Sequence, residues 1–429
     1  MIAAAARRAT FPDSLRDRLH GRASATLVLG ALTFNAILCL ANTVLFPVND
    51  IMVIATEFVI ISFAMVFALD RRVEPYLIVA VLLSYALLIM AMRPMFDPKA
   101  VRDFLIPVAF YCLGRRRPSL KLTDNIVLSA GIIVVAFGLF EYLAFETFER
   151  YFNIIRYYVA RGTVAPADIS GQTGTLFASG VRPDARTLLP FLGPHRVSSV
   201  FLEPVSTGNF GAILYIWALC RADMRGRIVL FACAATIIIL ADARFGAYTC
   251  IAATAAALAF HRLPRVFWFC LPLVMMCALA IYGFESMQVD WANDISGRIL
   301  WTARLLTSLS FDGAMGVSAQ KPFLSDSGYA YSINEIGIIG FIVFWGLFIF
   351  SAPADRGAWR LRACAATYFC LLLVISDSPY SIKTAAVFWF MLGGADGAAG
   401  QRGQAPQKTL PAPRRRYDGV LAVRGGVRA

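Results

Sequence analysis

Apolar runs recur along almost the whole of this 429-residue chain, and they restrict its fold more than any other feature. They fall at 24–46, 51–69, 76–92, 101–114, 125–145, 205–220, 228–241, 245–260, 266–284, 331–351, 358–375 and 382–393. About 20 apolar residues cross the hydrocarbon core of a bilayer as a helix. Only a helix or a closed barrel satisfies its own backbone polar groups there. The chain is 59% hydrophobic and 16% charged, and its mean hydropathy is +0.65. A soluble core cannot hide that much apolar surface. The pattern predicts an all-α, polytopic helical membrane protein with about twelve transmembrane helices. The runs at 101–114, 205–220, 228–241 and 382–393 are shorter than a straight span requires, and flanking arginines that snorkel would extend them.

The runs divide the chain into a basic arm (1–23), five spans (24–145), a long polar loop (146–206), four spans (207–284), a second long loop (285–330), three spans (331–393) and a tail (394–429). No small-residue cleavage site follows the first run, so that run is expected to stay as a span. The tail is rich in Gly, Pro, Ala and Arg, with a basic cluster at Arg414, Arg415 and Arg416, and is expected to be disordered.

The formal net charge of +13 has a topological explanation that needs no nucleic acid. Arg71 and Arg72, the run Arg115 to Arg117, Arg221, Arg225 and Arg227, Arg262 and Arg265, and Arg356, Arg360 and Arg362 all fall on alternate connections. With the two ends of the chain they hold well over half of the 40 basic residues. The positive-inside rule makes that side cytoplasmic, with both termini on it and both long loops outside. The nine cysteines lie in or at the ends of apolar runs and read as small buried hydrophobes. There is no CxxC and no metal-ligand spacing, so no metal and no cofactor are expected.

Candidate chemistry collects where the loops meet the outer leaflet. Arg196, Arg244, Arg298 and Arg304 stand near span ends on the outer side, with Arg102 beside them. A guanidinium fork matches phosphate oxygens and keeps its charge, so these four are candidate diphosphate-binding residues. The plainer alternative is ordinary pairing with nearby aspartates such as Asp242 and Asp312, or snorkelling to headgroups. Glu203 precedes Pro204 at an expected helix start and is the first candidate for a general base. His195, the one histidine of the first long loop, is the second; a lone histidine is more often structural. Glu57, Glu141, Asp242, Asp326 and Tyr329 are candidate substrate-binding residues, and the carboxylates among them would serve equally as ion-pair partners.

The stretch RVSSVFLEP, Arg196 to Pro204, resembles the Arg-x-x-Ser-x-Phe-x-Glu-Pro element of Wzy-type exopolysaccharide polymerases. Asp242 to Gly246, DARFG, sits where that family and the O-antigen ligases carry a Ser-Arg-containing signature, with Asp242 replacing the common serine. Gly297, Arg298 and Trp301, then Asp326 to Tyr329, then Asn334, Glu335, Gly337 and Gly340 resemble the closing half of the same family. The resemblance implies a glycosyltransferase in the bacterial inner membrane with its site facing the periplasm. It implies transfer of a growing polysaccharide from undecaprenyl diphosphate to a hydroxyl of a new undecaprenyl-diphosphate-linked oligosaccharide. It also implies membrane lipid, a flippase and a chain-length regulator as partners, and no nucleic acid. The ligases use a histidine in the second external loop, and 285–330 contains none. A twelve-span transporter of a sugar, lipid or drug is the main alternative, and a ligase-type glycan transferase the second. No two-fold hydropathy repeat favours the transporter.

Overall fold

Each of the twelve expected segments is a helix. The computed structural model describes residues 13–69, 74–93, 98–165, 174–182, 186–286, 295–318, 324 and 326–404. The first twelve residues of the basic arm, Asp70, Arg71 and Arg72, and the tail beyond Gln404, with Arg414, Arg415 and Arg416, lie outside them. The long helices are α1 (Asp13–Val44), α2 (Asp50–Ala68), α3 (Glu74–Met92), α4 (Pro98–Arg116) and α5 (Leu120–Leu143). Two short helices follow, α6 (Phe145–Tyr151) and α7 (Ile154–Ala160). Next come α8 (Pro204–Cys220), α9 (Arg227–Leu240), α10 (Arg244–Ala259) and α11 (Arg265–Glu285). The series closes with α12 (Ile295–Thr307), α13 (Phe311–Met315), α14 (Gly328–Phe350), α15 (Arg356–Leu372) and α16 (Ile382–Gln404). Among the described residues five helices are, by length and composition, long and apolar enough to cross a membrane: α1 from Arg18, α2, α5, α11 and α14. Among the described residues the one β-type pairing is an isolated bridge between Val181 and His195.

Local chemistry sets the helix starts. Asn49 and Ser119 cap α2 and α5 by accepting the backbone N–H of Met52 and Leu122. Pro204 occupies the first turn of α8, where its missing N–H costs nothing. Two results differ from the expected organisation. Both long loops are partly helical: the first carries α6 and α7, and in the second α12 lies against α11, where the carbonyl of Ala303 approaches Gly283 so closely that a Cβ there would fall 2.4 Å from it. The last helix also runs on to Gln404, past the expected boundary at 393.

That extension follows from how α16 packs. Lipid tails are as apolar as leucine, so helices in a bilayer associate through close backbone approach and polar pairing. A Cβ on Gly393 would sit 2.0 Å from the Tyr111 carbonyl oxygen of α4, and one on Gly114 2.3 Å from that of Phe390. Asp396 lies in the extension and is held by a buried ion pair with Arg362 of α15 and by the Tyr111 hydroxyl at 2.8 Å. The helix therefore persists as far as its small face and its acidic partner reach. Phe388 and Trp389 of α16 pack with Phe348 and Phe369 in edge-to-face or tilted contacts at 5.2–5.5 Å within the main apolar core.

α14 is broken at Gly337, whose φ of +68° and ψ of 165° are outside the helical region. The break frees carbonyls that must find other donors. Arg93, just past α3, supplies them: its Nη2 donates to the carbonyls of Asn334 (2.5 Å) and Glu335 (2.8 Å). Its Nη1 pairs with the Glu335 carboxylate at 3.0 Å, and its Nε donates to Gly316 at 2.8 Å. The Tyr85 hydroxyl takes the Ile336 carbonyl at 2.9 Å.

Candidate functional site at the converging loop ends

The loop 195–203 is shaped by one buried carboxylate. Glu141, near the end of α5, is 0% exposed. It accepts the backbone N–H of Ser198 (2.9 and 3.1 Å) and of Ser199 (2.6 Å), and Oε1 contacts His195 Nε2 at 3.1 Å. The Ser199 hydroxyl donates to the Val134 carbonyl at 2.7 Å, and the Thr207 hydroxyl to that of Ser198 at 2.5 Å. These contacts hold Ser199 and Leu202 at φ of +48° and +61°, a conformation non-glycine residues rarely take. Glu141 is thus spent on the backbone. The His195 ring is engaged by Glu141 and lies 4.8 Å from that of Phe145, so both residues serve the loop's shape.

That loop delivers Arg196 into a group of arginines. Arg196 is 6% exposed; its Nε donates to the Ala241 carbonyl and its Nη1 to that of Ser179, both at 3.0 Å. Arg186 is 1% exposed and donates to the carbonyls of Ile239 (2.6 Å) and Leu240 (2.5 Å). These acceptors are the last carbonyls of α9, the negative end of its dipole. Arg182 pairs with Asp242 at 3.2 Å, and Arg298 of α12 with Asp326 at 3.3 Å. Asp242 is fully buried at φ +46° and also accepts the Leu188 N–H at 2.7 Å. Burial first, and the neighbouring Arg182 second, hold the Arg196 guanidinium at about 9; Asp242 opposes, while Arg298 and Arg186 add to the repulsion. Four guanidinium groups from two distant parts of the chain therefore share one region with two carboxylates. Arg186 keeps two buried nitrogens, Nε and Nη1, without partners among the described residues. A region with that surplus of positive charge and unused donors suits a multivalent anion.

Beside it is a second, acidic group. Glu203 immediately precedes α8, and its carboxylate accepts the Ser206 hydroxyl at 2.8 Å. It lies in electrostatic range of Asp326, Asp377 and Lys383, which ties it to Arg298 through Asp326. Burial raises Asp326 above the ordinary carboxylate range, with Arg298 opposing and Glu203 adding to the rise. Burial likewise lifts Asp377 to about 6 against the pull of Lys99, 3.9 Å away, with Asp103 and Glu203 adding to the rise. Glu57 pairs with Arg102 at 2.8 Å, Arg102 with Asp103 at 2.7 Å, and the Tyr331 hydroxyl donates to Asp103 at 2.5 Å.

The sequence candidates therefore separate. Arg196, Arg298, Asp242, Asp326 and Glu203 come together, and Glu57 joins through Lys383. Arg244 opens α10; its Nε is buried without a partner among the described residues. Arg304 donates to the Ser286 carbonyl at 3.1 Å and ties α12 to the end of α11. Tyr329 is fully buried, its hydroxyl donating to the Cys370 carbonyl at 2.9 Å, so it belongs to helix packing. Sequence reasoning passed over Arg182, Arg186, Lys99, Asp103, Tyr331, Asp377 and Lys383. One signal was available for Lys383: a cation set inside the twelfth apolar run is a functional candidate by position alone. Among the described residues no three His, Cys, Asp or Glu side chains stand close enough to hold a metal ion. No protein-family model, curated protein or solved structure matches the chain.

Proposed function

We propose that this chain is a glycosyltransferase of the bacterial inner membrane that polymerises lipid-linked oligosaccharide repeat units. In length and motif detail the resemblance is to the xanthan polymerase GumE in particular. The twelve long helices would all cross the bilayer, with both termini cytoplasmic, so that α2, α4, α8, α10, α14 and α16 begin on the periplasmic side. The single observation that carries the reading is the convergence of Arg182, Arg186, Arg196 and Arg298 next to Glu203 and Asp326.

In this mechanism the arginines hold the diphosphate of the donor, a growing glycan on undecaprenyl diphosphate. Their fixed charges stabilise the negative charge that builds on the leaving oxygen. A hydroxyl of the incoming lipid-linked unit attacks the anomeric carbon. The new C–O bond forms as the bond to the diphosphate breaks, and the hydroxyl proton passes to the Glu203 carboxylate. A single direct displacement inverts the anomeric centre. Lys383 and Ser206 orient Glu203, while Asp326 links it electrostatically to Arg298.

Transport fits less well. Broken membrane helices serve transporters by offering free carbonyls to ions, and those at the α14 break are already taken by Arg93 and Tyr85. The test is purified protein supplied with lipid-linked repeat units, with products resolved by size. Wild-type protein is expected to build a ladder of lengthening glycans. Arg196→Ala and Glu203→Gln are each expected to slow it about a hundredfold or more. Full-length ladders from both variants, at equal amounts of folded protein, would remove the proposed site from the chemistry.

A further inference from the structure

A groove of about 450 Å³ lies between α2, α3, α4, α14 and α16. That volume falls within the roughly 300–1,000 Å³ usual for sites that enclose an organic ligand. Its walls are apolar over most of their length, with Val79, Leu82, Pro107, Leu347 and Trp389 among them. One end carries Arg115 and Arg116. Along α4, Pro107 to Arg115 is a rise of roughly 12 Å, so the basic end and the apolar floor are separated like the head and tails of a lipid.

Among the described residues nothing neutralises these two charges. Asp396, the acidic residue of the lining, is already committed to Arg362 and to the Tyr111 hydroxyl. Arg116 donates one nitrogen to the Phe67 carbonyl at 2.6 Å, which fixes its position, and it makes no ion pair among the described residues. Arg115 is exposed and makes no ion pair among the described residues. The outer wall, α3, exposes Leu77, Val81 and Leu88 by 57–67%, a face suited to bulk lipid. The groove also lies at the opposite end of α4 from Lys99, Arg102 and Asp103, so it is separate from the candidate site above.

We infer that this groove is a binding site for one anionic glycerophospholipid, its phosphate on Arg115 and Arg116 and an acyl chain along Val79, Pro107 and Trp389. Basic pockets between membrane helices recognise anionic headgroups in this way. The inference does not depend on what the outer site catalyses.

The test is native mass spectrometry of the full-length protein released from detergent, with dioleoyl phosphatidylglycerol, dioleoyl phosphatidylcholine and undecaprenyl phosphate offered in turn. Phosphatidylglycerol should be retained at one copy per chain, at least tenfold more than phosphatidylcholine. Retention should fall about tenfold in the Arg115→Gln/Arg116→Gln double variant and in Val79→Trp, which fills the groove. Arg225→Gln, an exposed arginine outside the lining, should leave retention unchanged. If the double variant does not purify as a folded monodisperse species, Arg115→Gln alone, with Arg115→Lys as its rescue, carries the comparison. Equal retention of the two phospholipids, preference for undecaprenyl phosphate, or retention indifferent to both the charge and the filling variants would each overturn the assignment.

Discussion

Glu141→Gln separates a carboxylate that shapes the site from one that works in it. In the wild-type protein Oε1 accepts the Ser198 N–H at 2.9 Å and contacts His195 at 3.1 Å, while Oε2 accepts from Ser199 at 2.6 Å and Ser198 at 3.1 Å. Glutamine keeps one oxygen and replaces the other with an NH2 group, which has no lone pair to offer. With the NH2 on one side the Ser199 N–H faces a donor, and with it on the other the Ser198 N–H does, in a site where Glu141 is 0% exposed and water cannot substitute. A hydrogen bond to a charged group contributes about 1.5–3 kcal/mol, and an unmet buried donor costs about 1–3 kcal/mol. With the second contact of the replaced oxygen also weakened, the loss is about 2–4 kcal/mol. It falls on the segment that holds Ser199 and Leu202 in left-handed conformations and positions Arg196 and Glu203. The variant is therefore expected to melt at lower temperature and to polymerise poorly, both effects together. The assays are thermal unfolding in detergent and the in vitro ladder. Wild-type stability with lost activity would place Glu141 in the chemistry, and wild-type behaviour in both assays would show that the clamp does not matter.

Four further outcomes follow from the same geometry. His195→Gln should retain most of the activity and cost at most about 1 kcal/mol, because the ring's contacts are with Glu141 and Phe145; a general base at this position would lose activity almost entirely. Arg93→Met should destabilise by about 3–5 kcal/mol, since it leaves Glu335 buried and unpaired and two carbonyls of the α14 break without donors. Glu335→Gln added to it should recover part of that loss in a double-mutant cycle, and strict additivity would refute the pairing. Gly393→Val places a Cβ about where the Tyr111 carbonyl sits, so α4 and α16 must separate, at about 1–3 kcal/mol or more by thermal unfolding. Asp377 has a folded-state pKa of about 6 against 3.8 for the free group, so the native state holds the proton more tightly than the unfolded state. Its contribution to stability is accordingly fully present below 3.8 and is lost as pH rises through 6. Asp377→Asn should raise the melting temperature at pH 7.5 more than at pH 4, and an equal shift at both would show that this carboxyl is not strained by burial.

The helical segments were legible because their cause is local. Runs of apolar side chains at nearly bilayer length form helices whatever their neighbours, and all twelve expected segments are helical. The caps at Asn49 and Ser119 and the first-turn Pro204 are equally local. Part of the site was legible for a different reason: Arg196 and Glu203 are charges at the edge of an apolar run, where cost alone marks them. What the sequence does not contain is the destination of each side chain. Glu141 and Glu203 read alike in one dimension, yet one is consumed by three backbone contacts and the other stands among Lys383, Asp326 and Asp377. Arg182 and Arg186 gained their place only when the loop folded back onto the carbonyl end of α9. Tyr329 and Tyr331 differ by two residues on α14, and helical rotation sends one into the core and the other to Asp103. The break at Gly337 depends on Arg93 and Tyr85, more than two hundred residues earlier in the chain. Apolar pattern fixes which segments are helices, because burial acts on each segment separately; which polar groups meet is decided by tertiary packing, because the partners lie far apart along the chain.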